Sequence, residues 1–280
     1  VRSCRYKPGE GDRVPASGQR NARHAAFEPD FRRRGKRFFT VAGYVRFGKD
    51  TMEDLNAHYR MLPDWAEVRA HWVECAGDIP AGATFAGLGR DKASHRGIGA
   101  HTALTTLFAS SVDQAYLDEI GELEALEYLW LGWPTTAKDL APLTRLKRLR
   151  FLKLDSPRNV TDFVPLTELP ALTHLFVENA KHMRGLEWLA PLKGQLTSLG
   201  IEGSMWTMQK VPSLAPLAGF AVEALCMTSV QLADKDLTPL ATCPNLRHLG
   251  CARFAPKARF DELKALRPDI ACTWFEKYDI

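Results

Sequence analysis

Between residue 100 and the C-terminus, one pattern of apolar and polar positions recurs: apolar-x-x-apolar-x-apolar. The copies are Leu126/Leu129/Leu131, Leu149/Leu152/Leu154, Leu172/Leu175/Val177, Leu196/Leu199/Ile201, Val222/Leu225/Met227, Leu246/Leu249/Cys251 and Ile270/Thr273/Phe275. A weaker copy, Leu104/Leu107/Ala109, stands in front. The starts step by 23, 23, 24, 26, 24 and 24 residues. Only Thr273 breaks the apolar rule, where the chain's 45% hydrophobic content would leave about half the positions polar. A fixed period of this length predicts a stack of small structural repeats. Alternation within each copy predicts a short strand whose ladder residues point inward and whose x residues point outward.

A second motif keeps the same period. Leu140-Ala-Pro-Leu143, Phe163-Val-Pro-Leu166, Leu189-Ala-Pro-Leu192, Leu214-Ala-Pro-Leu217 and Leu237-Thr-Pro-Leu240 are variants of one tetrapeptide. Asp139, Asp162, Ser213 and Asp236 precede four of them and are helix-capping types. Proline is tolerated in a first helical turn, whose N–H groups have no intrahelical acceptor, and it disfavours helix for the residue before it. One or two turns of α- or 3₁₀-helix per repeat are therefore predicted. Each repeat reads strand, turn, short helix, return, and buries its apolar face only against its neighbours.

These Leu-x-x-Leu-x-Leu ladders and Leu-x-Pro-Leu turns resemble the leucine-rich repeat family, in particular the short bacterial kind seen in internalin-like proteins. The resemblance covers residues 101–280. It implies an α/β repeat solenoid, curved, with a concave parallel β-sheet and short convex helices or 3₁₀ turns. One departure stands out. The family carries Asn three residues beyond the last ladder position, and here those positions are Pro134, Pro157, Ala180, Ser204, Val230 and Phe254. Turn conformation and curvature are thus left open.

Residues 51–100 are expected to form a helical cap over the first repeat. Met52, Leu55, Tyr59 and Leu62 share one helical face, and Asp64 with Glu67 predicts a second helix start continued by Val68 and Trp72. Gly87-Leu-Gly89 and Gly97-Ile-Gly99 complete no nucleotide-binding motif. At the other end a last strand, Ile270–Phe275, is expected, with Trp274 and Tyr278 shielding the terminal repeat.

Charge alters the reading of the N-terminus alone. Residues 1–40 hold 11 Lys/Arg against 4 Asp/Glu, and the remainder 26 against 29. The repeat body is slightly acidic and a poor candidate for binding nucleic acid. Residues 1–50 are expected to be a basic tail, disordered over 1–37, where large apolar residues are too few to offset ordering entropy. An initial Val fits a GTG start or an over-extended reading frame, with Met52 as the alternative start. The run from Arg32 to Val45 falls short of a twin-arginine signal and of a membrane span.

The chemistry of enzymes is hard to find. Six Cys show no Cys-x-x-Cys and no zinc spacing; Cys243 and Cys251 read as buried apolar residues, and Cys226 and Cys272 as outward-facing. The thiols favour a cytoplasmic setting. No nucleophile motif and no cofactor site is read. The outward x positions instead give three columns along the sheet. Tyr128, Trp130, Phe151 and Phe176 cluster there with Lys153 and His174, beside an acidic column of Asp155, Glu178 and Glu202 expected to be solvated. Aromatic groups on a rigid surface dominate interface energetics, and the carboxylates would favour a partner with a basic rim.

The expectation is a non-enzymatic module that binds a protein partner on its concave face. Two alternatives are an enzyme with a catalytic region in 40–100 and nucleic-acid or membrane attachment through residues 1–37. A second candidate binding feature is the loop Met205-Trp206-Thr207-Met208 in the longest repeat.

Overall fold

The ladder residues do what their spacing requires. In the computed structural model, which describes residues 59–61 and 63–279, nine strands form one parallel sheet in the order β1-β2-β3-β4-β5-β6-β7-β9-β11. The strands are β1 (Trp72–Val73), β2 (Phe85–Gly89), β3 (Thr106–Ser110), β4 (Tyr128–Gly132), β5 (Phe151–Asp155), β6 (His174–Glu178), β7 (Ser198–Glu202), β9 (Ala224–Met227) and β11 (His248–Cys251). Every ladder residue from Leu126 to Cys251 is at most 4% exposed. Ladder matches ladder across the sheet: Leu129↔Leu152, Leu152↔Leu175, Leu175↔Leu199, Leu199↔Leu225 and Leu225↔Leu249. One continuous core therefore runs the length of the stack, as a repeat architecture demands.

On the far side of that core, the Leu-x-Pro-Leu segments form 3₁₀ turns at Ala141–Arg145, Val164–Glu168, Glu187–Leu192 and Ala215–Leu217, and one α-helical turn, α3 (Thr238–Ala241). Each predicted polar residue caps the first free N–H. Asp139 accepts from Ala141 N at 2.8 Å, Asp162 from Val164 N at 2.9 Å, Ser213 from Ala215 N at 3.0 Å and Asp236 from Thr238 N at 3.0 Å.

The turns leaving the sheet manage without the family's asparagine. Ser111, Ser156, Asn179 and Ser229 follow the third outward position of four strands, and all have left-handed backbone, with φ of 57°, 49°, 55° and 51°. Left-handed backbone is uncommon for residues with a Cβ. It is stabilised here because Ser156 N donates to Glu178 O and Asn179 N to Glu202 O, each at 2.8 Å, which carries the ladder one residue past the strands. A small second sheet pairs β8 (Gln209–Val211) with β10 (Val230–Leu232) just beyond this edge.

The ends differ from expectation. In the range read as a helical cap, Asp64 does cap a helix, accepting from Ala66 N at 2.8 Å, but α1 (Trp65–Ala70) is short and Trp72 belongs to β1. The sheet also begins earlier than residue 101: β2 pairs with β3, Phe85↔Thr106 through Gly89↔Ser110. Its ladder uses Ala86 and Leu88, too small to announce a repeat, and Trp72 lies across Gly87, where a Cβ would come within 2.5 Å of its ring. The predicted last strand is replaced by a single bridge, His248↔Ala271, and a 3₁₀ turn, Thr273–Phe275. That register turns Cys272 into the core, where it is 7% exposed, so it does not face outward. Trp274 and Tyr278 do pack against the terminal repeat, together with α4 (Lys257–Leu266), a helix the pattern did not announce; α2 (Gln114–Ile120) completes the helices. The basic tail, Met52, Leu55 and Leu62 of the expected helical face and the run from Arg32 lie outside the described residues.

Candidate functional site

The outer face of the sheet, the one turned away from the core, brings the predicted residues together. Trp130, Lys153, Phe176, Gly200, Cys226 and Gly250 are neighbours in register on six successive strands. Tyr128, Phe151, His174, Ser198, Ala224 and His248 form the parallel column beside them. The aromatic groups are in contact. Tyr128 stacks on Phe151 with centroids 4.1 Å apart and planes at 4°; Phe151 meets Phe176 at 5.7 Å, and Phe108 meets Tyr128 at 5.4 Å and Trp130 at 5.7 Å. Phe151, Phe176 and Cys226 make a small apolar cluster of their own, separate from the main core.

The acidic column is in register too, Asp155↔Glu178↔Glu202, but it is not a solvated face. Lys153 Nζ reaches Asp155 at 2.6 Å and Glu178 at 3.2 Å, and sits 4.2 Å from the Trp130 ring centroid. Trp130 Nε1 donates to Asp155 at 2.6 Å. Burial alone would pull the Lys153 ammonium pKa down, but the Asp155 and Glu178 carboxylates outweigh it and hold the pKa above its ordinary value. Burial raises the Glu178 pKa above the usual carboxylate range, against the pull of Lys153. Glu202 is 3% exposed. It accepts from Thr228 Oγ1 at 2.6 Å and from both terminal nitrogens of Arg60 at 3.2–3.4 Å.

Arg60 belongs to a part of the chain that pattern reading did not place here. Tyr59 donates its hydroxyl to Glu223 at 3.0 Å and sets its ring 5.1 Å from that of His248. Arg60 also lies over the Phe176 ring, 5.7 Å from its centroid. Met61 packs on the Phe151 cluster, and its carbonyl accepts from the Tyr128 hydroxyl at 3.1 Å. Trp65, at the start of α1, meets Trp130 edge-on at 5.2 Å and Phe108 at 6.2 Å. The chain thus crosses its own outer sheet face from β11 toward β3. Phe151, His174 and Phe176 are buried, and Tyr128, Trp130, Asp155 and Glu178 keep partial access. Burial pushes the Tyr128 and Tyr59 hydroxyl pKa values upward, the latter helped by Glu223.

One signal in the sequence called for a further cation, without saying which. Three carboxylates in a column against one lysine leave a charge that a sheet this apolar cannot hold alone. Phe85, stacked on His71 at 4.7 Å and 5.6 Å from Phe108, was missed because its strand was missed. The Met205–Met208 loop projects outward, with Trp206 90% exposed. Among the described residues, no group of three or more His, Cys, Asp or Glu could hold a metal ion, and no helix is long and apolar enough to cross a membrane.

No family model and no curated protein matches the chain. Solved structures do. An internalin (inlF) from Listeria monocytogenes is 19% identical over 66% of this chain and 52% of its own, with a TM-score of 0.48. An internalin C2 (inlC2) from the same organism is 25% identical over 55% of this chain and 64% of its own, with a TM-score of 0.41. The chain spans about half to two thirds of those structures. Its own nine-stranded parallel sheet, in-register leucine ladder and capped Leu-x-Pro-Leu turns give it the fold of a leucine-rich repeat solenoid.

Proposed function

We propose that this chain is a protein–protein interaction module without catalytic activity of its own. The outer sheet face recognises a segment of a partner protein through Tyr128, Trp130, Phe151, Lys153, Asp155, His174, Phe176, Glu178 and Glu202. The observation that carries this reading is that the face already engages a polypeptide segment, that of its own chain. Tyr59, Arg60, Met61 and Trp65 each find a side-chain seat on it. Such a combination of aromatic anchors and buried ion pairs is what protein interfaces use for affinity and orientation. The carboxylates favour a partner with a basic rim. Among the described residues, Cys75, Cys226, Cys243, Cys251 and Cys272 are buried thiols, which favours a reducing, cytoplasmic setting.

The test is affinity purification with mass spectrometry on the full chain and on the Trp130→Ala/Phe176→Ala variant. The double variant loses the partner that the wild type recovers, while its far-UV circular dichroism is unchanged. Equal recovery of the same partner by both proteins removes this assignment.

A further inference from the structure

Glu202 is a buried carboxylate whose cation comes from outside the sheet. Lys153 is committed to Asp155 and Glu178, and the ion pair at Glu202 is made by Arg60. The seat that receives Arg60 is shaped by the sheet itself. Gly200 lies between Phe176 and Cys226 in register, and a Cβ there would sit 2.2 Å from the Phe176 ring. Its absence leaves room for that ring beside Gly200, where it serves as a platform. Thr228 fixes the Glu202 carboxylate by donating to Oε1 at 2.6 Å, and Cys226, packed with Phe176, has its thiol pKa pushed up by burial against the opposing pull of the Arg60 guanidinium. A planar platform beside a fixed, desolvated carboxylate matches a guanidinium, which stacks and donates in a fork. It matches an ammonium poorly, because that ion is compact and strongly hydrated.

We propose that Glu202, Thr228, Phe176 and Cys226 form a guanidinium-binding pocket whose ligand is an arginine of a partner protein, presented directly after an aromatic residue. The inference rests on the reading of this face as a protein-binding surface and names what it reads. Arg60 is the occupant held in cis, and Tyr59 marks the neighbouring aromatic seat against His248 and Glu223. The partner's arginine takes the place of Arg60. Charge complementarity selects it: a buried carboxylate left without a cation is costly, so the cis segment leaves only for a ligand that brings one.

The experiment uses the full chain with Tyr59→Ala and Arg60→Ala, which empties both seats, beside the wild type. The probe is a fluorescent synthetic peptide with the sequence of residues 57–65, Ala-His-Tyr-Arg-Met-Leu-Pro-Asp-Trp. The emptied variant binds it at least about tenfold more tightly than the wild type does, and replacing the probe's Arg by Lys or Ala loses about tenfold or more. Adding Glu202→Gln to the emptied variant has the same effect. Should that variant fail to fold, the probe substitutions alone decide, since they leave the protein untouched. A probe with Ala in place of Arg that binds equally well overturns the pocket. A wild type that is dimeric and becomes monomeric on Arg60→Ala overturns the partner protein as occupant in favour of a second copy. If the pocket fails while Trp130→Ala/Phe176→Ala still loses its partner, the interaction reading stands alone. If probe binding depends on Glu202 while that double variant keeps its partner, the interaction reading falls and the pocket is left as a seat for Arg60 of this chain alone.

Discussion

At the scale of single residues, the outer face shows how a column of carboxylates is carried on an apolar sheet. Lys153 pairs with two of them and Arg60 with the third, so the column is an ion-pair network rather than a free acidic surface. His248 is the residue at the edge of this network whose charge changes near neutral pH. Burial holds its pKa below the ordinary 6.5, against the opposing pull of Glu223 and with a smaller push from Arg247. The folded state therefore disfavours the imidazolium. As pH falls through 6.5 the unfolded chain takes up a proton that the folded chain resists, so this contribution to stability is complete above 6.5 and declines toward the lower, folded pKa. The Tyr59 ring, 5.1 Å from the imidazole, is the contact that protonation perturbs. Urea denaturation at pH 7.5 and 5.5 should show a smaller loss on acidification in His248→Gln than in the wild type. Identical pH slopes for the two proteins would remove the histidine from this account.

At the scale of elements, legibility followed locality. Strands β3 to β7, β9 and β11 could be read because each ladder demands three inward apolar side chains at fixed spacing, and the Leu-x-Pro-Leu turns because capping and proline chemistry act within a few residues. Strand β2 could not, since Ala86 and Leu88 form a ladder too slight to stand out, and Gly87 serves Trp72 rather than a phosphate. The left-handed turns at Ser111, Ser156 and Ser229 carry no residue that advertises positive φ. The seating of Tyr59 and Arg60 lies more than 140 residues away in sequence from Glu223 and Glu202, and no local pattern encodes it. The caps offer a direct check on the readable part. Asp162 satisfies the first N–H of its 3₁₀ turn, and Asp162→Ala should cost about 1 kcal/mol in urea denaturation. A change within the error of the measurement would mean that water replaces the carboxylate at no cost.

For the whole molecule, what matters is that each repeat is stabilised only by the two beside it. Leu175 is fully buried at the centre of the stack, paired in register with Leu152 and Leu199. Replacing it by Asp places a charge where no cation can reach, which costs several kcal/mol unless the site opens to water. In a structure with one compact core the cost would fall on every element at once. In a stack it falls on β5, β6 and β7, while α4 keeps its contacts with α3 and the Thr273–Phe275 turn, and Trp274 its hydrogen bond to the Cys251 carbonyl of β11. Hydrogen exchange read by mass spectrometry should therefore show amides of β5 to β7 exchanging about a hundredfold faster in Leu175→Asp, and those of β11 and α4 changing much less. Loss of protection spread evenly from β3 to α4 would contradict this coupling. The gradient bears on function as well. Phe151, Phe176 and Glu202 stand on those same three strands, so the variant should lose the seat for Arg60 before it loses its C-terminal repeats. Intrinsic fluorescence, with Trp65 and Trp130 reporting the seat and Trp274 the far end, can follow that order during denaturation.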